Sequence, residues 1–540
     1  MQTKSGNRLA GVLARLKSGA RDEQGVAAVI FALGLSVLTP MALGVFDVYM
    51  ASQQRGKLQD ALDAAALYAA RSNAQDTDEI DAIGDRAFAA NLELIRGATL
   101  ENSTFALQGT KVVASASVRL QAFAPTFWEH DPVQVSAQVQ RAVDRLEIAL
   151  VLDNTGSMVL NNSPKLSILK TEAARLVDKL ALAASLSTEP EPIKIALVPF
   201  SNTVRVQGQT ALTTYNATTH TGPGIPSWID PRGQAHWNAA NNNIFEPADT
   251  DRFLLMRNIG QQWAGCVEAR RQPFDISEDP PAANDVASQF TPYFWPDELD
   301  VSNGTIRVND YLTDGGANSL TTRQKLRRTA KYANNATWRR TGNFTTSLGL
   351  TYAHGPNAGC TLQPIRRLTT DLQQVKTDIA AMTATGETNI PLGLVWGWHT
   401  LTPNAPFSDG RAYNTPHLRK IVILMTDGDN TMYDSGTDNA SYYGGLGFIW
   451  QNMLPGLGTS STLAQRQTAM NGRLSALCTA MKARRIEIYT VRVEVSGGSS
   501  TLLQNCASSP DKFFEVSQAS QLGAAFDAIA AAITNLRIIK

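Results

Sequence analysis

The segment LEIALVLDNTGSM, residues 146–158, decides the fold because an apolar run ends in a carboxylate. Ile148 to Leu152 has the length and aliphatic composition of a strand buried on both faces of a parallel sheet. Asp153 therefore marks the carboxyl end of that strand, and Thr155 and Ser157 follow at alternating positions. These side chains can meet at one point if the chain turns tightly at the intervening glycine. Such oxygen ligands favour a hard cation such as Mg²⁺.

Two further segments bear on this interpretation, because the motif alone could be only an Asn-Thr-Gly turn with solvated side chains. Lys420 to Asp427, KIVILMTD, is a second apolar strand that ends in aspartate. Gly386 to Leu394, GETNIPLGL, places Thr388 in a loop before a helical segment. In doubly wound sheets, ligands bind beyond the carboxyl ends of the strands. The sequence therefore predicts three segments that supply oxygen ligands to one place.

Together these segments resemble the von Willebrand factor A (vWA) family, whose metal-ion-dependent adhesion site (MIDAS) combines Asp-x-Ser-x-Ser with a later threonine and a later aspartate. The resemblance implies that the metal ligands are Asp153, Thr155, Ser157, Thr388 and Asp427. The implied cation is Mg²⁺, with Mn²⁺ or Ca²⁺ as alternatives. Thr155 replaces the usual serine and keeps the hydroxyl. One position in the family's site is left for a carboxylate brought by a ligand, which implies docking of an acidic protein partner and no catalysis.

Composition and charge bound the other possibilities. The 540 residues predict two or three domains, and 48 basic residues are balanced by 48 acidic ones. A nucleic-acid partner is not expected, because such proteins carry a basic surface. Gly25 to Phe46 contains no charged residue, and as a helix it would run about 33 Å, enough to cross a membrane. The apolar part of a cleaved signal peptide is shorter, so we expect an uncleaved transmembrane helix.

The charges on either side of this segment predict its orientation. Five basic residues precede it, within a basic N-terminus at 1–24: Lys4, Arg8, Arg15, Lys17 and Arg21. Asp47 follows it directly. Basic flanks stay on the cytoplasmic side. We therefore expect a single-pass protein of the bacterial inner membrane, with its N-terminus in the cytoplasm and its bulk in the periplasm or outside the cell.

The four cysteines form an even set, as is typical of an oxidising compartment. Three pairings are possible. We favour Cys266 with Cys360, both inside one long insertion, and Cys478 with Cys506, which flank the predicted strand Ile486 to Val493. The spacings do not match a zinc site.

The segment Gln24 to Arg71, which closes on LQDALDAAALYAAR, resembles the N-terminal module of Tad (tight-adherence, or Flp) pilus-assembly proteins of the TadG type. The resemblance implies pilus assembly or adhesion. Residues 47–142 are then expected to form a helical stalk and a small α+β pilin-like module. The predicted fold after it, over 146–540, is an α/β, doubly wound, mostly parallel sheet of the vWA or Rossmann-like type.

An insertion at about 207–364 interrupts this predicted domain. It shows no sustained periodicity but contains five tryptophans: Trp228, Trp237, Trp263, Trp295 and Trp338. That is too many for a disordered polar tract, so we expect a disulfide-supported subdomain. Its tryptophans would pack internally or, less favoured, form a recognition surface.

Two alternatives to metal-dependent docking remain. A Mg²⁺-dependent phosphotransferase of the haloacid-dehalogenase kind also has an aspartate at a strand end, but its second aspartate is replaced here by Thr155, so we disfavour it. A structural scaffold or minor pilus component without metal-dependent docking is equally compatible with the sequence.

Overall fold

The computed structural model describes residues 23–72, 74, 77–95, 97–108, 111–121, 131–140, 145–187, 189–236, 242–300, 308–315, 319–494 and 500–534. Most of the predicted basic N-terminus at 1–24, Trp237 of the insertion and the last six residues of the predicted 146–540 domain lie outside these residues. The chain divides into two compact units, with one boundary between residues 142 and 143.

The first unit is an α+β module on a long helix. Its elements are α1 (Glu23–Arg71), α2 (Thr77–Leu92), β1 (Ala98–Gln108), β2 (Lys111–Leu120) and β3 (Val133–Gln140). The strands form an antiparallel sheet in the order β1-β2-β3. Alternate residues of β2, such as Val112, Ala114 and Val118, are buried, as expected where one face of a sheet meets helices.

Helix α1 is continuous through the predicted membrane segment and stalk. Its first half exposes large apolar side chains such as Phe31 and Val45, whereas its second half buries Leu58, Leu62 and Ala65 in the module's core. Among the described residues, one helix is long and apolar enough to cross a membrane, and it is this one. The N-terminal apolar helix is thus confirmed.

The second unit is built on a mixed sheet of eight strands: β4 (Arg145–Asp153), β5 (Ile193–Phe200), β6 (Val204–Arg205), β7 (Cys266–Val267), β10 (Arg366–Thr369), β11 (Leu418–Thr426), β12 (Glu487–Val493) and β13 (Phe513–Val516). The order is β13-β12-β11-β4-β5-β6-β7, and β10 also pairs with β5. The five strands from β13 to β5 are parallel, and β6, β7 and β10 are antiparallel to their neighbours. A short hairpin, β8 (Asn343–Thr345) and β9 (Thr351–Ala353), lies apart from the sheet.

Helices cover both faces of this sheet. The described helices are α3 (Lys165–Ser185), α4 (Arg252–Asn258), α5 (Thr322–Arg327), α6 (Leu372–Ala381), α7 (Ile390–Leu401), α8 (Leu463–Ala483), α9 (Ser500–Cys506) and α10 (Leu522–Thr534). Alternate residues of β4 enter two separate cores. Ile148 and Leu150 pack with α3, α6 and α10, whereas Ala149 and Val151 pack with α7 and α8. The continuous apolar run of β4 is explained by burial on both faces.

The insertion differs from the predicted subdomain. It shares one core with the sheet, since Trp263 and Trp295 belong to the same buried cluster as Val151. It also supplies β7, which pairs with β6 and so extends the sheet. The sequence shows no periodicity there because most of the insertion is irregular chain that packs through scattered aromatic residues.

Both favoured disulfides are present. Cys266 on β7 joins Cys360, with 5.9 Å between their Cα atoms, and Cys478 on α8 joins Cys506 on α9, with 5.2 Å. The first ties β7, inside the insertion, to the end of the insertion, since Cys360 precedes β10 by a few residues. The second ties two helices of the domain body.

Candidate functional site

The candidate site lies where β4 and β11, adjacent parallel strands, reach their carboxyl ends. Leu152 of β4 is opposite Met425 of β11, so Asp153 and Asp427 both emerge at the same edge of the sheet. After β4 the chain adds β5 on one side and later β11 on the other. The two aspartates therefore lie at the point where the direction of strand addition reverses, which is where open α/β sheets bind ligands.

A chain of hydrogen bonds joins the residues of the site. Ser157 Oγ donates to Asp427 Oδ1 at 2.6 Å, and Ser157 Oγ lies 2.9 Å from Thr155 Oγ1. A hydroxyl has one proton, so Thr155 is the donor to Ser157. Lys165 Nζ donates to the other carboxylate oxygen of Asp427 at 2.7 Å. Two loops and a helix start thus converge on one carboxylate.

Asp153 is fully buried and is held from two sides. Its Oδ1 accepts the backbone N–H of Thr155 at 2.8 Å, and its Oδ2 accepts the hydroxyl of Thr426 at 2.6 Å. Burial, followed by the negative charge of Asp427, raises the pKa of Asp153 to about 7, although the hydrogen bonds from the two threonines oppose this rise. Removal from water and a nearby like charge both disfavour the ionised form. A bound cation would relieve this repulsion.

Thr388 lies in the loop before α7. The loop is fixed by a pair of hydrogen bonds: Thr388 N–H donates to Thr431 Oγ1 at 2.9 Å, and Thr431 N–H donates to Thr388 O at 2.8 Å. The hydroxyl of Thr388 lies 3.9 Å from where a Cβ would stand on Gly428, the residue after Asp427. The fourth and fifth predicted ligands are therefore neighbours, and all five predicted residues lie in one region.

The predicted role of Gly156 needs correction. Its φ is not positive; it begins a short 3₁₀ turn, Gly156–Met158. A Cβ there would lie 2.3 Å from Leu350 Cδ2, so Leu350 would have to shift, and 3.4 Å from Gly386 O, which accepts the Gly156 N–H. Glycine at this position allows close packing and does not serve a positive φ. Gly386 does have φ +77°, a conformation that favours glycine.

The insertion borders the site, which the sequence did not predict. Leu350, from the loop between β8 and β9, packs over Gly156. The Ser347 hydroxyl of that loop is hydrogen-bonded to Tyr442 OH at 2.8 Å. The β8–β9 hairpin thus forms one wall beside the exposed Ser157. A partner approaching Ser157 would meet this wall.

Sequence reasoning also missed Lys165 and Thr426. Both had a readable signal. Thr426 directly precedes the strand-ending Asp427, and Lys165 is the first residue of α3, where the positive end of the helix dipole disfavours a basic residue. A lysine at that position is better explained by a carboxylate partner than by helix preference.

The donor set fits a small divalent cation in one measurable respect. Adjacent oxygen ligands of an octahedral Mg²⁺, at about 2.1 Å from the metal, are about 2.9 Å apart. The Thr155 and Ser157 hydroxyl oxygens are 2.9 Å apart and the Ser157 and Asp427 oxygens 2.6 Å. Among the described residues, no group of three or more His, Cys, Asp or Glu side chains is placed to hold a metal. A cation here would therefore depend on the hydroxyls.

The fold and site define a mixed α/β domain with a hydroxyl- and carboxylate-lined edge, attached to a chain with an apolar N-terminal helix. Residues 25–72 match the family model of Tad proteins, described as Flp pilus-assembly TadE/G-like. No curated protein matches the chain. The family match covers helix α1 and does not extend to the second unit.

Solved structures show distant similarity. The vWF domain of the type V pili tip protein Mfa5 from Porphyromonas gingivalis is 11% identical, with 74% of this chain and 98% of that chain covered and a TM-score of 0.32. The adhesive tip pilin GBS104 from Group B Streptococcus agalactiae is 11% identical, with 72% and 99% covered and a TM-score of 0.32. Proximal thread matrix protein 1 from the mussel byssus is 12% identical, with 73% of this chain and 47% of that chain covered and a TM-score of 0.27. This chain therefore spans about half the length of that protein.

Proposed function

We propose that this chain is a membrane-anchored protein of Tad/Flp pilus assembly or adhesion, of the TadG type. Its second unit would be a vWA domain that binds a protein partner through a divalent cation. The match of residues 25–72 to the Tad family supports the pilus-related role. The strand order and the position of Asp153 and Asp427 at the strand-addition reversal support the vWA assignment.

The observation that carries the metal site is the hydrogen bond between Ser157 and Asp427, 270 residues apart in the chain. It brings the motif after β4 to the end of β11, and Thr155 and Thr388 flank it. Asp153, Thr155, Ser157, Thr388 and Asp427 would hold Mg²⁺, or else Mn²⁺ or Ca²⁺. The bound cation would supply a Lewis-acidic position for a carboxylate oxygen of the partner.

The partner would bring an acidic side chain and would be a pilus subunit or another envelope protein. Ser157 is exposed, whereas Asp153, Thr155 and Thr388 are buried, so the site opens at Ser157. We propose that the site binds and does not catalyse. A phosphotransferase of the haloacid-dehalogenase kind uses a second carboxylate as acid or base, and Thr155 stands at that position here. The proposed protein is therefore not an enzyme.

The proposed topology places α1 across the bacterial inner membrane, with the basic segment in the cytoplasm and the second unit in the periplasm or outside the cell. The exposed apolar first half of α1 suits a lipid environment. Two disulfides suit an oxidising compartment.

A retention assay tests the docking function. The full-length protein, in non-ionic detergent, is passed over beads that present glutamate side chains and over matched beads that present glutamine. We expect retention on glutamate beads with Mg²⁺, release by EDTA, and no retention of Asp153→Ala. Equal retention with and without EDTA would contradict the proposal, as would equal retention on glutamine.

A scaffold without metal-dependent docking is the second candidate. It is favoured by the ion pair between Lys165 and Asp427. Both carboxylate oxygens of Asp427 already accept a hydrogen bond, one from Ser157 and one from Lys165, and the lysine already balances the negative charge. A scaffold predicts that EDTA changes neither the stability of the second unit nor its binding to partners.

A further inference from the structure

Lys165 occupies a position that the proposed metal site does not require. Its Nζ lies 2.7 Å from Asp427 Oδ2, its side chain is 14% exposed, and the Asp427 side chain is fully buried. A buried carboxylate is costly without a positive partner. Lys165 supplies that positive partner.

The lysine is held in place by the fold. Lys165 is the first residue of α3 and directly follows Pro164. Its backbone N–H donates to Ser163 Oγ at 3.4 Å. The helix is anchored by buried Leu166 and Leu169. The main chain of Lys165 therefore lies at the start of a packed helix, beside the site.

The positive charge of Lys165 beside Asp427 opposes the binding of a divalent cation there. Asp427 offers Oδ1 to the Ser157 hydroxyl and Oδ2 to Lys165. A divalent cation held by the hydroxyls and Asp427 would lie beside the Lys165 ammonium, because both would use the same carboxylate. Two like charges so close repel, and the repulsion is strong where water is excluded. An added carboxylate would offset it.

We propose that Lys165 is a built-in competitor of the divalent cation: it neutralises Asp427 when metal is absent and weakens metal binding until an acidic ligand arrives. This inference rests on the proposed metal-dependent docking and specifies how that site is regulated. Metal occupancy would be low without partner and high with it, so that the ion and the partner's carboxylate bind together.

The consequence for variants is direct. Lys165→Met removes the charge and keeps a long apolar stem, so Mn²⁺ affinity should rise about tenfold or more. Lys165→Arg keeps the charge and should not tighten Mn²⁺ binding. Lys170→Met is the matched control, because Lys170 lies on the same helix and its Nζ donates only to the carbonyl of Ala380 among the hydrogen bonds described.

The test is equilibrium titration of Mn²⁺ into the full-length protein in non-ionic detergent, followed by the paramagnetic signal of free Mn²⁺, with and without 50-fold excess acetate over protein as the carboxylate probe. We expect tighter binding by Lys165→Met, unchanged binding by Lys170→Met, and an acetate-dependent gain that is larger in wild type than in Lys165→Met. Circular dichroism checks that each variant is folded. Lys165→Gln replaces Lys165→Met if the latter does not fold.

The outcomes separate the two proposals. One outcome is that wild type binds Mn²⁺, Asp153→Ala does not, and Lys165→Met binds no more tightly than wild type. In that case the competitor role is overturned and the metal site stands. If neither wild type nor Lys165→Met binds Mn²⁺, the metal site is overturned and the competitor role with it, and Lys165 is a structural ion-pair partner.

Discussion

Ser157 and Asp427, 270 residues apart in the chain, are joined by a hydrogen bond of 2.6 Å from the serine hydroxyl to Asp427 Oδ1. This contact links the loop after β4 to the end of β11. It also aligns the hydroxyls of Thr155 and Ser157 at the spacing of adjacent metal ligands.

Replacing Ser157 with alanine should weaken Mg²⁺ binding. The variant loses one of the proposed ligands and the hydrogen bond to a charged carboxylate, and such bonds contribute about 1.5–3 kcal/mol. We expect binding to weaken roughly ten- to hundredfold. Calorimetric titration of the full-length protein measures this. Ser167→Ala is the control, because the Ser167 hydroxyl is exposed on α3 and donates to the carbonyl of Pro164. Equal loss in both variants would argue against a ligand role for Ser157.

Trp263→Ala tests whether the insertion and the sheet form one cooperative unit. Trp263 is fully buried, and its ring contacts Phe253 at 5.3 Å between centroids, within the cluster that includes Val151. Loss of such a side chain lowers the free energy of unfolding by about 3–5 kcal/mol. We expect the whole second unit to unfold earlier, as followed by calorimetry. A separate early transition confined to the insertion would show instead that it folds as its own subdomain.

The two disulfides should differ in their effect on stability. Cys266 and Cys360 are 94 residues apart and Cys478 and Cys506 are 28 apart. Loop-closure entropy gives about 4.7 and 3.6 kcal/mol for loops of these lengths. Replacing both members of the first pair with alanine should therefore lower the denaturant midpoint more than replacing the second pair. The reverse order would mean that packing around Cys478 and Cys506 outweighs chain entropy.

His399 should make stability fall in acid. Burial, and then the positive charge of Arg270, lower the pKa of His399 well below its usual value of 6.5. Arg270 Nη2 lies 3.3 Å from His399 Nε2, and Asp275 and Asp279 act on Arg270. The unfolded chain takes up a proton below pH 6.5 that the folded chain refuses, so the free energy of unfolding falls as pH falls, at most by about 1.4 kcal/mol per pH unit.

His399→Gln removes this titration and keeps an acceptor for Arg270. The difference in unfolding free energy between pH 7 and pH 5 should be smaller in the variant than in wild type. Urea denaturation at both pH values measures it. An unchanged difference would place the acid sensitivity elsewhere.

The sequence predicted those parts of the fold that are set by local pattern. Strands β4, β11 and β12 lie where the sequence predicted strands, because an uninterrupted aliphatic run of strand length is typical of a strand buried on both faces of a sheet. The two disulfides were also predicted. Strand β10 was missed, since its four residues, RRLT, carry no strand pattern and are held by pairing with β5.

The sequence predicted that three segments meet at one edge of the sheet. Asp153, Thr155, Ser157, Thr388 and Asp427 were chosen from three segments, and the structure brings these segments together. Lys165 and the wall formed by Leu350 were not predicted. Both depend on tertiary contacts: Lys165 reaches Asp427 across 262 residues, and Leu350 comes from an insertion without periodicity.

The most direct test of the metal site is thermal unfolding of the full-length protein in detergent, with Mg²⁺ or with EDTA, for wild type and Asp153→Ala. Mg²⁺ at 100 times Kd adds about 2.7 kcal/mol to the free energy of unfolding, which for a unit of this size raises its Tm by about 3 °C. The proposed metal site predicts this shift in wild type and its absence in Asp153→Ala. Identical unfolding curves for wild type in Mg²⁺ and in EDTA would contradict it.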